Sequence, residues 1–159
     1  MSRITIDKNT IFIDCNPNLQ TKNTWVVHNE SLISSDLCLD EFYNYLNKND
    51  KYLLSTIKHV VVKNYTEGTD LNLQNFPNLV SIDINKSRNT FLSQQNITKQ
   101  PLKMVKIFKV CDCVILDKCL LKMLPNLKIL YMNNVKFTKK DIDSKPGVIS
   151  INVNEEITK

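Results

Sequence analysis

Histidine, cysteine and glycine carry the first test for chemistry, and their spacing offers little. A nucleophile needs a base within hydrogen-bond reach, yet the chain holds only two histidines, His28 and His59. The pattern KHVVVK puts His59 on a strand surface with no sequence-adjacent partner. Cys111-x-Cys113-x5-Cys119 lacks the Cys-x2-Cys spacing of a zinc site and has no histidine nearby. These cysteines therefore read as packing residues, since a free thiol behaves as a small hydrophobe. With Cys15 and Cys38 the total is five, an odd count that argues against a disulfide framework. Two glycines, Gly68 and Gly147, cannot build a glycine-rich phosphate cradle. The expectation is a non-enzyme with no metal and no cofactor.

What chemistry remains is electrostatic. The formal charge is +5, and residues 99–140 hold ten lysines against Asp112 and Asp117. Residues 1–56 hold five basic and seven acidic side chains. Such asymmetry marks either a surface for an acidic partner or a solvated edge. Arginine is the residue suited to bidentate contacts with phosphates and bases, and only Arg3 and Arg88 occur. Nucleic acid is therefore the second-choice partner, after another protein. No run of about 18 apolar residues suggests a membrane span, and MSRITIDKNT lacks the apolar centre of a secretory signal. Those two features predict a cytoplasmic, reducing setting with no membrane partner. The absence of alanine beside abundant Lys, Asn and Ile resembles the codon bias of AT-rich genomes, as in some large DNA viruses and protists, and carries no function.

The elements that position these side chains emerge from internal periodicity. Five segments align: IKHVVVKNY, LVSIDINKS, LKMVKIFKV, LKILYMNNV and VISINVNEE, starting at Ile57, Leu79, Leu102, Leu127 and Val148. Their first, fourth and sixth residues are Ile57, Val60, Val62; Leu79, Ile82, Ile84; Leu102, Val105, Ile107; Leu127, Leu130, Met132; and Val148, Ile151, Val153, all apolar. Phe76-Pro77-Asn78-Leu79 and Leu124-Pro125-Asn126-Leu127 repeat one another at the entry to two strands. Residues 57–159 thus resemble the leucine-rich repeat family, whose pattern is LxxLxL at a period of roughly 20–29 residues.

The resemblance implies an α/β fold: a leucine-rich-repeat-like solenoid with a short parallel sheet on its concave face and irregular or helical returns on its convex face. Asp117 to Leu124 is expected as one helical return, and Thr138-Lys139-Lys140-Asp141 as the cap of another. The ninth position, usually Asn or Cys in that family, reads Tyr65, Ser87, Val110, Val135 and Glu156, so the polar ladder is missing or replaced. An open stack needs a terminal cap, and residues 1–56 fit an N-terminal α+β one. Ile4, Ile6, Ile11 and Ile13 alternate as a hairpin, and Trp25-Val26-Val27 reads as a third strand. Leu39, Phe42, Tyr43 and Leu46 share a helix face, and Lys51 to Thr56 reads as a second helix. Leu39–Val60 also loosely resembles the back half of an F-box, which would imply a ubiquitin-ligase substrate adaptor, although the leading Leu-Pro is absent. Cys38-Leu39-Asp40 resembles the Cys-x-Asp motif of bacterial repeat-bearing ubiquitin ligases, but their large helical catalytic module is not among these 159 residues.

In this repeat type the third, fifth and seventh positions point out on the concave side. They read His59, Val61, Lys63; Ser81, Asp83, Asn85; Met104, Lys106, Phe108; Ile129, Tyr131, Asn133; and Ser150, Asn152, Asn154. Met104, Phe108, Ile129 and Tyr131 should form one apolar and aromatic cluster, the signature of a protein contact. Val61, Lys63 and Lys106 complete the expected partner-binding set. The expected function is protein–protein binding, with no small-molecule substrate.

Overall fold

The computed structural model describes residues 3–15, 26–27, 32–35, 39–66, 68–85, 91–112, 115–116, 118–135 and 147–152. The first strands are β1 (Arg3–Asp7), β2 (Thr10–Asp14), β3 (Val26–Val27) and β4 (Leu32–Ser35), followed by helices α1 (Leu39–Asn49) and α2 (Lys51–Thr56). Strands β5 (His59–Lys63), β6 (Ser81–Asn85), β8 (Ile107–Cys111), β10 (Ile129–Asn133) and β11 (Ile149–Asn152) come next. Between them lie a 3-10 turn at Leu73–Asn75, β7 (Phe91–Leu92), α3 (Gln94–Ile97), β9 (Ile115–Leu116) and α4 (Lys118–Lys122). Among the described residues, no helix is long and apolar enough to cross a membrane. Trp25, His28, Cys38, Cys113 and the expected helical turn at Thr138–Asp141 lie outside them.

The fold is α/β, built on one open sheet in the order β11-β10-β8-β6-β5-β2-β1-β4-β3. From β2 to β11 the six neighbouring strands run parallel; β1, β4 and β3 join antiparallel. The expected boundary near residue 57 is crossed by this sheet, because β2 pairs with β5 over Thr10–Asp14 and His59–Lys63. One core cluster likewise joins Ile4, Ile6, Ile11 and Ile13 to Val60, Val62, Ile82, Ile84, Phe108, Val110, Leu130 and Met132. Strand side chains alternate faces, so these residues line a single buried face. Leu71, Leu73, Phe76, Leu92, Ile97, Leu120, Leu121 and Leu124 from the return segments are buried with them.

Several bonds recur from strand to strand. At the entry margin, the amides of Lys58, Val80, Lys106 and Lys128 donate to the carbonyls of Asn9, Lys58, Val80 and Lys106 respectively, at 2.7–2.8 Å. Leu79, Val105 and Leu127 each donate their amide to the carbonyl three residues back, on Phe76, Leu102 and Leu124. The Nδ2 groups of Asn78 and Asn126 donate to the carbonyls of Ser55 and Lys103, both at 2.7 Å. At the exit margin Asn64, Asp112 and Asn134 adopt left-handed φ of 53°, 60° and 55°, a conformation that Asn and Asp tolerate better than most residues. Asn64 donates to Asp14 Oδ1 and Asn134 to Asp112 Oδ1, each at 3.0 Å. Polar groups thus stand at the eighth position, while the ninth-position side chains Tyr65 and Val135 are buried. Asn126→Ala should cost about 1 kcal/mol, the usual net worth of one such bond, read as a lower urea midpoint.

The third repeat is where the expected register fails. Val105, Phe108 and Val110 are buried and Ile107 is half-buried, because β8 pairs Phe108 with Ile82 and Val110 with Ile84. Leu102 is buried too, but as the counterpart of Phe76 and Leu124 in the entry turn rather than as the first residue of a strand pattern. An offset of three residues is odd, and an odd offset exchanges the two faces of a strand. The last strand departs similarly. Its backbone register sets Ile149 beside Ile129, Ser150 beside Leu130 and Ile151 beside Tyr131, one residue away from the expected alternation.

Helix α1 is tied down by its polar groups as well as its apolar face. Buried Tyr43 donates its hydroxyl to the Leu71 carbonyl at 2.6 Å and meets Phe76 edge-on, centroids 5.5 Å apart. Asn72, buried and left-handed at φ 50°, donates to Asp40 Oδ1 at 3.0 Å. Burial, aided by the negative charge of Asp40, holds the Tyr43 phenol well above its ordinary pKa, so the hydroxyl stays a donor. Above about pH 10 the unfolded chain sheds this proton and the folded chain keeps it, so the contribution falls as pH rises. Tyr43→Phe leaves the buried Leu71 carbonyl without its donor and should cost about 1–3 kcal/mol, measured by urea unfolding at neutral pH.

Candidate functional site

The outward face of the sheet is read from the register. Its middle row runs Thr5, Phe12, Val61, Asp83, Lys109, Tyr131 along β1, β2, β5, β6, β8 and β10. The row nearer the entry margin runs Thr10, His59, Ser81, Ile107, Ile129, Ile149. Its last three members are isoleucines on three adjacent strands, half-buried at Ile107 and Ile129 and 65% exposed at Ile149. Tyr131, also half-buried, stands two residues along β10 from Ile129. Together they form an apolar patch over β8, β10 and β11.

Of the expected partner-binding residues, Ile129 and Tyr131 lie on this patch. Phe108 does not: it is fully buried, because its alternation follows Val105 and not Leu102. Its place on the face is taken by Ile107 and Lys109. Met104 is 46% exposed, but it lies in the turn before β8. Lys106 is exposed at the entry margin, with Lys128 beside it on the next strand. Val61 and Lys63 lie on β5, and Ser81, Asp83 and Asn85 of β6 stand between them and the patch. Three strand steps from β5 to β10 amount to roughly 14 Å, so the expected set does not come together at one place on the sheet. Lys63 lines a separate cleft of about 350 Å³ with Arg3, Thr5, Phe12 and Asp14.

Sequence reasoning missed Ile107, Lys109 and Ile149. The signal that finds the first two is the recurring entry turn: aligning Leu102 with Phe76 and Leu124 starts the third pattern at Val105. It also missed a meeting between residues 22 apart in sequence, His59 Nδ1 and Ser81 Oγ, which lie 2.6 Å from each other on β5 and β6. A base and a hydroxyl in reach are two parts of a nucleophilic site. Both lie on the open sheet face, and the bond ties neighbouring strands in register. Cys111, half-buried at the end of β8, has its thiol pKa raised by burial first and by Asp83 and Asp112 next, with Lys109 opposing. That shift makes it a poor nucleophile. Among the described residues, no group of His, Cys, Asp and Glu is arranged to hold a metal ion.

On the strands under the patch, Lys106 and Lys128 are exposed at the entry margin, whereas Asp112 and Asn134 are exposed at the exit margin. The apolar patch therefore meets a cationic border on one side and a polar, partly anionic one on the other. Comparison of the chain with protein-family models, with curated proteins and with solved structures gives no match.

Proposed function

We propose that this chain is a non-catalytic protein–protein interaction module which binds its partner through the outward face over β8, β10 and β11. The observation that carries the reading is the in-register row Ile107, Ile129 and Ile149 beside Tyr131. Contiguous exposed apolar surface rimmed by polar groups is what protein contacts bury, and aromatic residues near its centre supply much of the binding energy. The recurring entry-turn and margin bonds support a leucine-rich-repeat-like stack in which this face is the concave one. Helix α1 directs Leu39, Phe42, Tyr43 and Leu46 into the shared core, which favours a cap over an F-box-like adaptor role for the N-terminal segment.

The lysine margin favours a second reading, electrostatic nucleic-acid binding. It ranks lower because Phe108, one of two aromatic side chains suited to stack on bases, is buried. Affinity capture with the wild-type chain, with Ile129→Asp, and with Tyr52→Ser on α2 tests the first reading. Proteins retained by wild type and Tyr52→Ser but lost from Ile129→Asp are the expected result. An identical set from all three baits would contradict it. Nuclease-sensitive, salt-sensitive retention by all three would favour the second reading.

A further inference from the structure

The entry turn before β8 lacks the asparagine that its two sister turns share. Phe76-Pro77-Asn78-Leu79 and Leu124-Pro125-Asn126-Leu127 each use asparagine to clamp a carbonyl of the preceding unit, on Ser55 and on Lys103. In Leu102-Lys103-Met104-Val105 the same place holds Met104, 46% exposed, which has no amide to donate. The carbonyl it would clamp, by the same spacing from Leu79, belongs to Pro77, and no described backbone amide donates to it. At this place a groove of about 230 Å³ opens between the turns, with Pro77, Pro101 and Met104 over buried Phe76 as its apolar wall, Gln74 and Gln100 as its polar wall, and Lys103 at its border. Beside it, Lys106 and Lys128 enter neighbouring strands side by side. Strands lie about 4.8 Å apart, and like charges directly opposite destabilise a sheet. Neither lysine has a carboxylate partner among the described residues.

We propose that the partner contributes an acidic segment, which seats one apolar side chain in the groove beside Met104 and sets its carboxylates against Lys103, Lys106 and Lys128. The proposal rests on the adjoining Ile107–Ile129 face being the protein-binding surface, since the segment reaches the margin from that face. The groove supplies apolar contact from Pro77, Pro101 and Met104 beside the polar groups of Gln74 and Gln100. The lysines supply charge that a carboxylate neutralises more completely than salt does, because the segment is held in place.

A displayed library of random peptides, selected on the full chain, provides the probe. Synthetic versions of the enriched peptides are then titrated by fluorescence anisotropy. The expected peptides combine Asp or Glu with one aliphatic or aromatic residue. Met104→Asn restores the clamp without disturbing the core, so it should fold normally and bind them at least about tenfold more weakly. Lys106→Gln/Lys128→Gln should weaken binding by about tenfold in low salt and flatten its salt dependence. Enrichment of nothing, or of neutral or basic peptides, overturns the proposal. So does acidic-peptide binding unchanged in both variants, or displacement of a tightly bound single-stranded oligonucleotide being needed before any peptide binds. The two claims separate through Ile129→Asp. Loss there alone keeps the face and discards the acidic segment, whereas loss in the margin variants alone keeps the groove and discards the face.

Discussion

Phe108→Ala should lower the stability of the chain by about 3–5 kcal/mol, the cost of emptying a buried aromatic site whose surroundings relax only in part. Phe108 is fully buried and paired in register with Ile82 on β6, so the cavity opens in the middle of the sheet's inner face. The neighbouring residues supply the contrast. Lys109 is exposed, and Lys109→Ala should stay within about 0.5 kcal/mol. Ile107 is half-buried, so its replacement by alanine should cost less than the 2–5 kcal/mol typical of a core aliphatic. Urea unfolding with a common m-value orders the three. The order Phe108, Ile107, Lys109 fits the structure; Ile107 as the costliest would mean that β8 shows its other face to the core.

Ile129→Asp should weaken binding of the partner captured by the wild-type chain about thirtyfold or more, corresponding to the roughly 2 kcal/mol that marks a central contact. Ile129 is flanked by Ile107 and Ile149 on the adjacent strands, so a carboxylate there has to be desolvated by any apolar group set against the row. Because the site is half-buried and aspartate suits a strand poorly, the unfolding midpoint should fall, but by less than in Phe108→Ala. Affinity and stability are thus read separately, by titration against the captured partner and by urea. A thirtyfold loss in a variant still folded under the binding conditions fits the proposal, and unchanged affinity in a folded variant contradicts it.

Where the sequence repeats itself closely, it is a good guide to the fold. The hairpin of β1 and β2, the helical faces of α1 and α2, and the strands at β5, β6 and β10 follow from local alternation and spacing, which register with neighbours then preserves. LKMVKIFKV is different, since two alternating frames both place apolar residues inward: Leu102, Val105, Ile107 or Val105, Phe108, Val110. Local pattern does not choose between them. The choice is made by pairing with β6 and by Leu102 sitting in the entry turn, both non-local facts. The same ambiguity displaced the candidate site. Ile129 and Tyr131 are legible because β10 has one consistent frame, whereas the frame that starts at Leu102 points Phe108 outward and Ile107 inward. Ile149 was obscured by a register that only its pairing with β10 fixes. The Met104 groove was legible in principle, since methionine stands where two sister turns carry asparagine, but its meaning needed the Asn78 and Asn126 bonds.

The most direct test of the binding face is a photo-crosslinking comparison in the native cell. A benzophenone-bearing phenylalanine replaces Tyr131 on the patch in one version of the chain, and Tyr52, 76% exposed on α2, in another. The proposed face predicts a crosslinked protein adduct from position 131 and none from position 52; adducts from position 52 alone, or equally from both, would contradict it.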